Sequence, residues 1–272
     1  MSTSTSTSAT TSAGVLDAVR AQGRAALVGY LPAGYPTLAG AVDGIRAMVD
    51  GGVDVVELGL PYSDPVMDGP LIQAAADEAL RGGVRTRDVL RTVEDAAATG
   101  AAVLIMSYWA PVLRYGVDAF ARDLASAGGA GLITPDLVPD EAGEWLAASD
   151  AHGLERVFLV APSSTPDRLA STARACRGWV YAASTMGVTG VRAQVGAGAE
   201  ALVARTREAG AERVCVGLGV STPEQAQEVA AYADGVIVGS ALVRALRDGG
   251  PAAVGRLAGE LAAGIAAGRT GA

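Results

Sequence analysis

The sequence contains no lysine. All 21 basic residues are arginine, so the chain cannot form a Schiff base with a carbonyl substrate or hold pyridoxal phosphate covalently. Histidine occurs once, at His152, and cysteine twice, at Cys176 and Cys215, with no pair at zinc-like spacing. A Cys/His metal centre is therefore not expected, and no cofactor is called for. Aspartate and glutamate stay available for a hard cation such as magnesium. Two distant cysteines make no disulfide framework, and the chain reads as cytoplasmic. No apolar run approaches the roughly 18 residues of a membrane span. A formal charge of −8 argues against a nucleic-acid or anionic-membrane partner, because either would want a basic stripe.

Half of the 272 residues are hydrophobic and 18% are charged, enough for a large packed core. The opening "MSTSTSTSATTSAG" has neither a basic stretch nor an apolar one, so it is not a signal peptide. Residues 1–13 read as a disordered Ser/Thr-rich tail. Beyond it, short apolar runs recur at 25–31, 53–60, 101–108, 130–137, 156–162, 178–184, 213–220 and 234–242. Most are continuously apolar, as strands of a parallel sheet buried on both faces must be. Helical segments lie between them. "TLAGAVDGIRAMVDGG" spaces Leu38, Val42, Ile45 and Val49 along one side and ends in glycines. "PEQAQEVAAY" follows a Ser-Thr-Pro start signal. Strand and helix alternating eight times predict a (β/α)8 TIM barrel, a single domain over residues 14–268. The competing fold is a doubly wound open sheet, which lacks here the G-x-G-x-x-G expected after a first strand.

The ends of these strands collect the polar residues. Glu57 closes the second run, and "LPYSDPVMDGP" follows with Asp64 and Asp68. Tyr30, Tyr108, Asp136 and Tyr181 occupy matching places on other strands. Glycines cluster in "MGVTG", "GLGVS" and "VGS" after the last three strands, where backbone N–H groups of such barrels commonly hold a phosphate. That solution suits a chain without lysine. Each residue also has a plain reading. Glu57 could be a satisfied polar residue of the rim, Asp64 and Asp68 could be turn formers, and single glycines often only permit a tight turn. His152 and the charges of "RTRDVLRTVED" read as surface, and Cys215 as a small core residue.

With "YLPAGYP", "ELGLPYSDPVMDGP", "PDLVPDE", "GVTG", "VGLGVSTPEQ" and "VIVGSALV" in order, the chain resembles the tryptophan synthase α-chain family over residues 14–268. The resemblance implies retro-aldol cleavage of indole-3-glycerol phosphate to indole and glyceraldehyde 3-phosphate, a step of tryptophan biosynthesis. The indole ring would be the electron sink, so acid–base groups suffice. Glu57 would be the general acid/base, Asp68 the partner of the indole N–H, and Tyr181 their neighbour. Tyr30, Ile72, Met106 and Tyr108 would wall the indole pocket. Thr189 would close over it, and Gly190, Leu218, Gly219, Gly239 and Ser240 would surround the phosphate. Pro61, Asp64 and the position of Ala110 would meet a β subunit.

Two positions depart from the family pattern. "SYWAPV" carries Ala110 where the family usually has asparagine, and "GLG" replaces Gly-Phe-Gly. Ala110 motivates an alternative, a stand-alone indole-3-glycerol phosphate lyase that releases free indole for secondary metabolism. A silent barrel that only activates a partner and a different phosphosugar enzyme complete the field. Retention of both Glu57 and Asp68 speaks against the silent barrel.

Overall fold

In the computed structural model, which describes residues 10–183, 198–217 and 219–268, every apolar run becomes a strand. They are β1 (Ala26–Pro32), β2 (Val55–Gly59), β3 (Ala102–Met106), β4 (Gly131–Thr134), β5 (Glu155–Val160), β6 (Val180–Ala183), β7 (Val214–Gly217) and β8 (Gly235–Val238). Each pairs in parallel with the next, and β8 closes onto β1. This is the expected (β/α)8 barrel, and closure removes the open sheet from consideration.

The described helices are α1 (Ser12–Ala21), α2 (Leu38–Asp50), α3 (Pro70–Arg81), α4 (Thr86–Ala97), α5 (Trp109–Tyr115), α6 (Val117–Ser126), α7 (Gly143–Ala151), α8 (Pro166–Ala175), α9 (Gly198–Glu208), α10 (Pro223–Ala230) and α11 (Ser240–Gly268). The two helical stretches expected between the second and third strands are α3 and α4. Thr222 caps α10 with its side chain, as the Ser-Thr-Pro signal requires. Among the described residues no helix is long and apolar enough to cross a membrane.

Period-two alternation sorts the strand side chains into two cores. Val28, Val55, Leu104, Val157 and Cys215 fill the barrel interior. Leu27, Val56, Val103, Phe158 and Val216 pack outward against the helices. The buried face of α2 differs from the expected stripe. It runs through Ala41, Gly44, Ile45 and Met48, while Leu38 is 40% exposed. The reason is size. A β-carbon at Gly44 would lie 3.2 Å from Leu31 and 3.3 Å from Leu246, so the small residues let α2 settle onto β1 and α11 where a larger stripe would hold it off. His152 lies at the C-terminal end of α7, away from the strand C-termini, with Nε2 2.9 Å from Asp118.

The structure also moves the boundary of the N-terminal tail. Helix α1 begins at Ser12, inside the segment expected to be disordered, and Ser12 is fully buried. The cause is a partner 143 residues away. Glu155, itself 4% exposed, accepts the N–H of Ser12 at 3.0 Å, its hydroxyl at 2.5 Å and the N–H of Ala13 at 2.9 Å. One carboxylate thus satisfies the first free donors of α1 and complements the positive end of its dipole. Asp17 binds Arg213 at 2.6 Å and Arg20 binds Asp234 at 2.8 Å. Leu16 and Val19 then seal the barrel floor. Glu155→Ala leaves these donors without their buried acceptor and is expected to cost about 3 kcal/mol. Urea unfolding measures it, and a change under about 0.5 kcal/mol, typical of a surface site, would deny the cap any structural weight.

Candidate active site

Parallel register sets the floor of the site. Tyr30 of β1 pairs with Glu57 of β2, and Leu159 of β5 pairs with Tyr181 of β6. These side chains share the inward face and meet at the C-terminal mouth. With Met67, Asp68, Ile72, Met106, Gly219, Val220, Ile237, Gly239 and Ser240 they line a cavity of about 640 Å³ of empty space, its mouth included. Two glycines make room for the aromatic rings. A β-carbon at Gly59 would overlap the Tyr30 hydroxyl, and one at Gly217 would overlap that of Tyr181.

Glu57 is 1% exposed, and its Oε2 has no hydrogen-bond partner among the described residues. Burial, and secondarily the charge of Asp68, push its carboxyl up to about 8. Near neutral pH it is therefore mostly an acid with a proton to give. Asp68 is raised by burial too, but a hydrogen bond with Tyr108 works the other way. The two carboxyls sit in one cavity in different environments, and the field separates their roles.

Tyr108 stands behind the cavity wall. Its hydroxyl oxygen accepts the N–H of Met67 at 3.0 Å, and it also bonds the Asp68 carboxylate. Its ring lies 5.4 Å from that of Tyr62. Through these contacts it fastens the loop after β2 so that Asp68 faces the cavity. Asp136 is spent elsewhere: both its oxygens accept the N–H of Trp109, at 2.9 and 3.1 Å, fixing the start of α5.

Helix α11 starts at Ser240, which lines the cavity with Gly239, so its first free N–H groups lie at the cavity. Gly219 has φ of +108°, a turn that brings the β7–α10 backbone beside them. Such a pair of backbone segments can hold an anion without a charged side chain. The sequence-predicted Tyr30, Glu57, Asp68, Ile72, Met106, Tyr181, Gly219, Gly239 and Ser240 all come together here. Thr189, Gly190 and Leu218 lie outside the described residues. Met67, Leu159, Val220 and Ile237 were missed. Inward alternation could have found two of them, since Leu159 follows Val157 and Ile237 precedes Gly239 by one pleat.

The three positions assigned to a partner also share one place. Pro61, Asp64 and Ala110 line a shallow surface groove with Tyr62, Arg87 and Arg114. In the loop after β2 and in α5, Val66 and Leu113 are 69% and 55% exposed, large apolar side chains left in water.

Comparison with known proteins agrees with this geometry. Residues 16–261 match the family model described as tryptophan synthase alpha chain. The tryptophan synthase alpha chain of Mycobacterium avium is 62% identical over 251 residues, 92% of this chain and 93% of its own. That of Acidothermus cellulolyticus is 63% identical over 249 residues, covering 90% and 93%. Among solved structures, Mycobacterium tuberculosis tryptophan synthase superposes with a TM-score of 0.89 at 58% identity, covering 94% of this chain and 98% of that one. The alpha subunit from Legionella pneumophila gives 0.86 at 30% identity, covering 95% and 100%. With the family model matching residues 16–261 and relatives near 60% identity over nine-tenths of the chain, the chain belongs to the tryptophan synthase alpha chain family.

Proposed function

We propose that Glu57 and Asp68 divide the acid–base work of a carbon–carbon lyase acting on indole-3-glycerol phosphate. The chain is the α-type enzyme of tryptophan biosynthesis, and its products are indole and glyceraldehyde 3-phosphate. The observation that carries the reading is Glu57: a buried, proton-holding carboxyl whose Oε2 has no hydrogen-bond partner among the described residues, in a cavity it shares with a second carboxylate.

Glu57 gives its proton to C3 of the indole ring. The ring becomes an indoleninium, and its positive charge falls at the N–H that Asp68 accepts. The bond between C3 and the glycerol side chain then breaks. Its electron pair returns to the ring, restoring indole, while the side-chain hydroxyl becomes the aldehyde and yields its proton to the Glu57 carboxylate. Glu57 ends as it began. Tyr181 packs beside it, Tyr30, Ile72 and Met106 hold the ring, and Tyr108 holds Asp68. Gly219, Gly239 and Ser240 take the phosphate on backbone N–H groups, with Gly190, Leu218 and Thr189 assigned to the same end.

The partner that fits is a β subunit, seated on the groove of Pro61, Asp64 and Ala110. The stand-alone lyase is not favoured, because its motive is one side chain, whereas relatives near 60% identity over nine-tenths of the chain are tryptophan synthase alpha chains. A cytoplasmic location goes with this assignment.

Glu57→Gln and Asp68→Asn should each lower kcat for indole release by about 10²–10⁴, measured by single-substrate turnover; wild-type turnover in both would end the assignment. The proton must be present for C3 to receive it, so kcat should fall as pH rises through about 8. A rate flat from pH 6 to 9.5 would contradict Glu57 as the donor. Added β subunit should raise turnover. Ala110→Asn should tighten that complex by about 1–3 kcal/mol if it meets an unpaired polar group, and an unchanged Kd by titration calorimetry would take position 110 out of the contact.

A further inference from the structure

A line of contacts runs from the floor of the barrel to the catalytic mouth. Glu155 accepts the hydroxyl of Ser12, and the hydroxyl oxygen of Ser12 accepts the indole N–H of Trp179 at 3.0 Å. Trp179 is 2% exposed and inside the barrel. Its ring stacks on Tyr181, with centroids 5.7 Å apart and planes 29° from parallel. Trp179 sits immediately before β6 and Tyr181 in it; two residues apart along the extended chain, both belong to the interior cluster and form successive layers of it. Tyr181 in turn lines the cavity with Glu57.

Only some of these links are needed to fill space. A leucine would fill much of the layer below Tyr181, yet Trp179 spends its one N–H on a serine whose other bond goes to a buried carboxylate. A single hydrogen bond at the far end fixes the ring plane, and the ring plane fixes where Tyr181 can lie. Leu159 and Cys215 flank Tyr181 in register. Gly217 leaves room for the Tyr181 hydroxyl, and the Trp179 ring bounds Tyr181 from below.

We infer that Trp179 is a positioning residue for the lyase reaction, holding Tyr181 against Glu57, and that Ser12 and Glu155 lock it from the floor of the barrel. The inference rests on the assignment of Glu57 as the acid. Displacing Tyr181 would let water reach Glu57, which faces Asp68, Tyr30, Tyr181 and Cys215. Water favours the carboxylate. The consequence falls on proton transfer more than on binding, because Trp179 does not line the cavity.

The test compares Trp179→Leu, Trp179→Phe and Ser12→Ala in the full chain, with Glu57→Gln run beside them as the check on the acid itself. Trp179→Leu should lower kcat about ten- to a hundred-fold, the scale of a small misplacement, with KM within about twofold. Its falling pH limb should move to lower pH than in wild type. Trp179→Phe and Ser12→Ala both keep an aromatic ring under Tyr181 but lose the bond that fixes its plane, so each should fall between Trp179→Leu and wild type in kcat and in the position of the limb. If Trp179→Leu fails to fold, Ser12→Ala decides. Variants that lose only thermal stability, with kcat and pH limb as in wild type, would overturn the inference even where Glu57→Gln is inactive. Loss of kcat in the tryptophan variants beside an active Glu57→Gln would overturn the acid assignment instead.

Discussion

A carboxyl group buried in a largely apolar cavity, with no cation among the described residues that line it, governs the site. Transferring a charged carboxylate out of water costs so much that the group keeps its proton. Glu57 does so up to about pH 8. The neutral form is the useful one, because an acid must hold its proton at working pH to donate it. The same burial has a thermodynamic consequence. Between the ordinary carboxylate range and about pH 8, the folded chain carries a proton the unfolded chain has released, so stability drains away as pH rises through that window. The rest of the barrel must offset it.

The offset is gathered at the other end. Asp54, just before β2, takes two bonds from Arg24 at 2.7 Å and the N–H of Leu27 at 2.9 Å. Asp234, just before β8, meets Arg20, Arg207 and the N–H of Val214. Glu155 caps α1. These acids lie near the N-terminal ends of strands, where arginines and free N–H groups satisfy them with the planar, forked geometry that lysine lacks. A barrel that divides its labour this way can keep strain at the mouth because its floor is stapled.

How much of this was legible follows from the range of each interaction. The eight strands were, because a parallel strand covered on both faces leaves an unbroken apolar run. The acidic pair and the part of the glycine rim at Gly219, Gly239 and Ser240 were, because strand order places them at one mouth. The start of α1 was not. Ser12 looks like its serine and threonine neighbours, and only a partner 143 residues away makes it structural. The face of α2 misread for a different reason: large apolar residues mark hydrophobicity, but close packing chose Ala41 and Gly44. Leu159 and Ile237 were within reach of alternation along their own strands, whereas Met67 and Val220, in loops, were not. The pKa of Glu57 lay beyond sequence altogether, since it depends on what surrounds an otherwise ordinary glutamate.

The absence of lysine takes on meaning at the mouth. A phosphate ester could be held by a cationic side chain, and many sites do so. Here such a charge would share the cavity with Glu57. At about 6 Å and an effective dielectric near 20, a unit charge favours the carboxylate by about 3 kcal/mol, equivalent to about two pKa units. That would return Glu57 towards the range of an ordinary glutamate and leave it ionised at neutral pH. Backbone N–H groups of Gly219, Gly239 and the start of α11 offer the phosphate partial charges that fade within a turn of the helix. They can hold the substrate's anionic end while leaving the acid its proton. A cavity that must bind a phosphate and keep a glutamate protonated is better served by dipoles than by a cation, and among the described residues no arginine lines it.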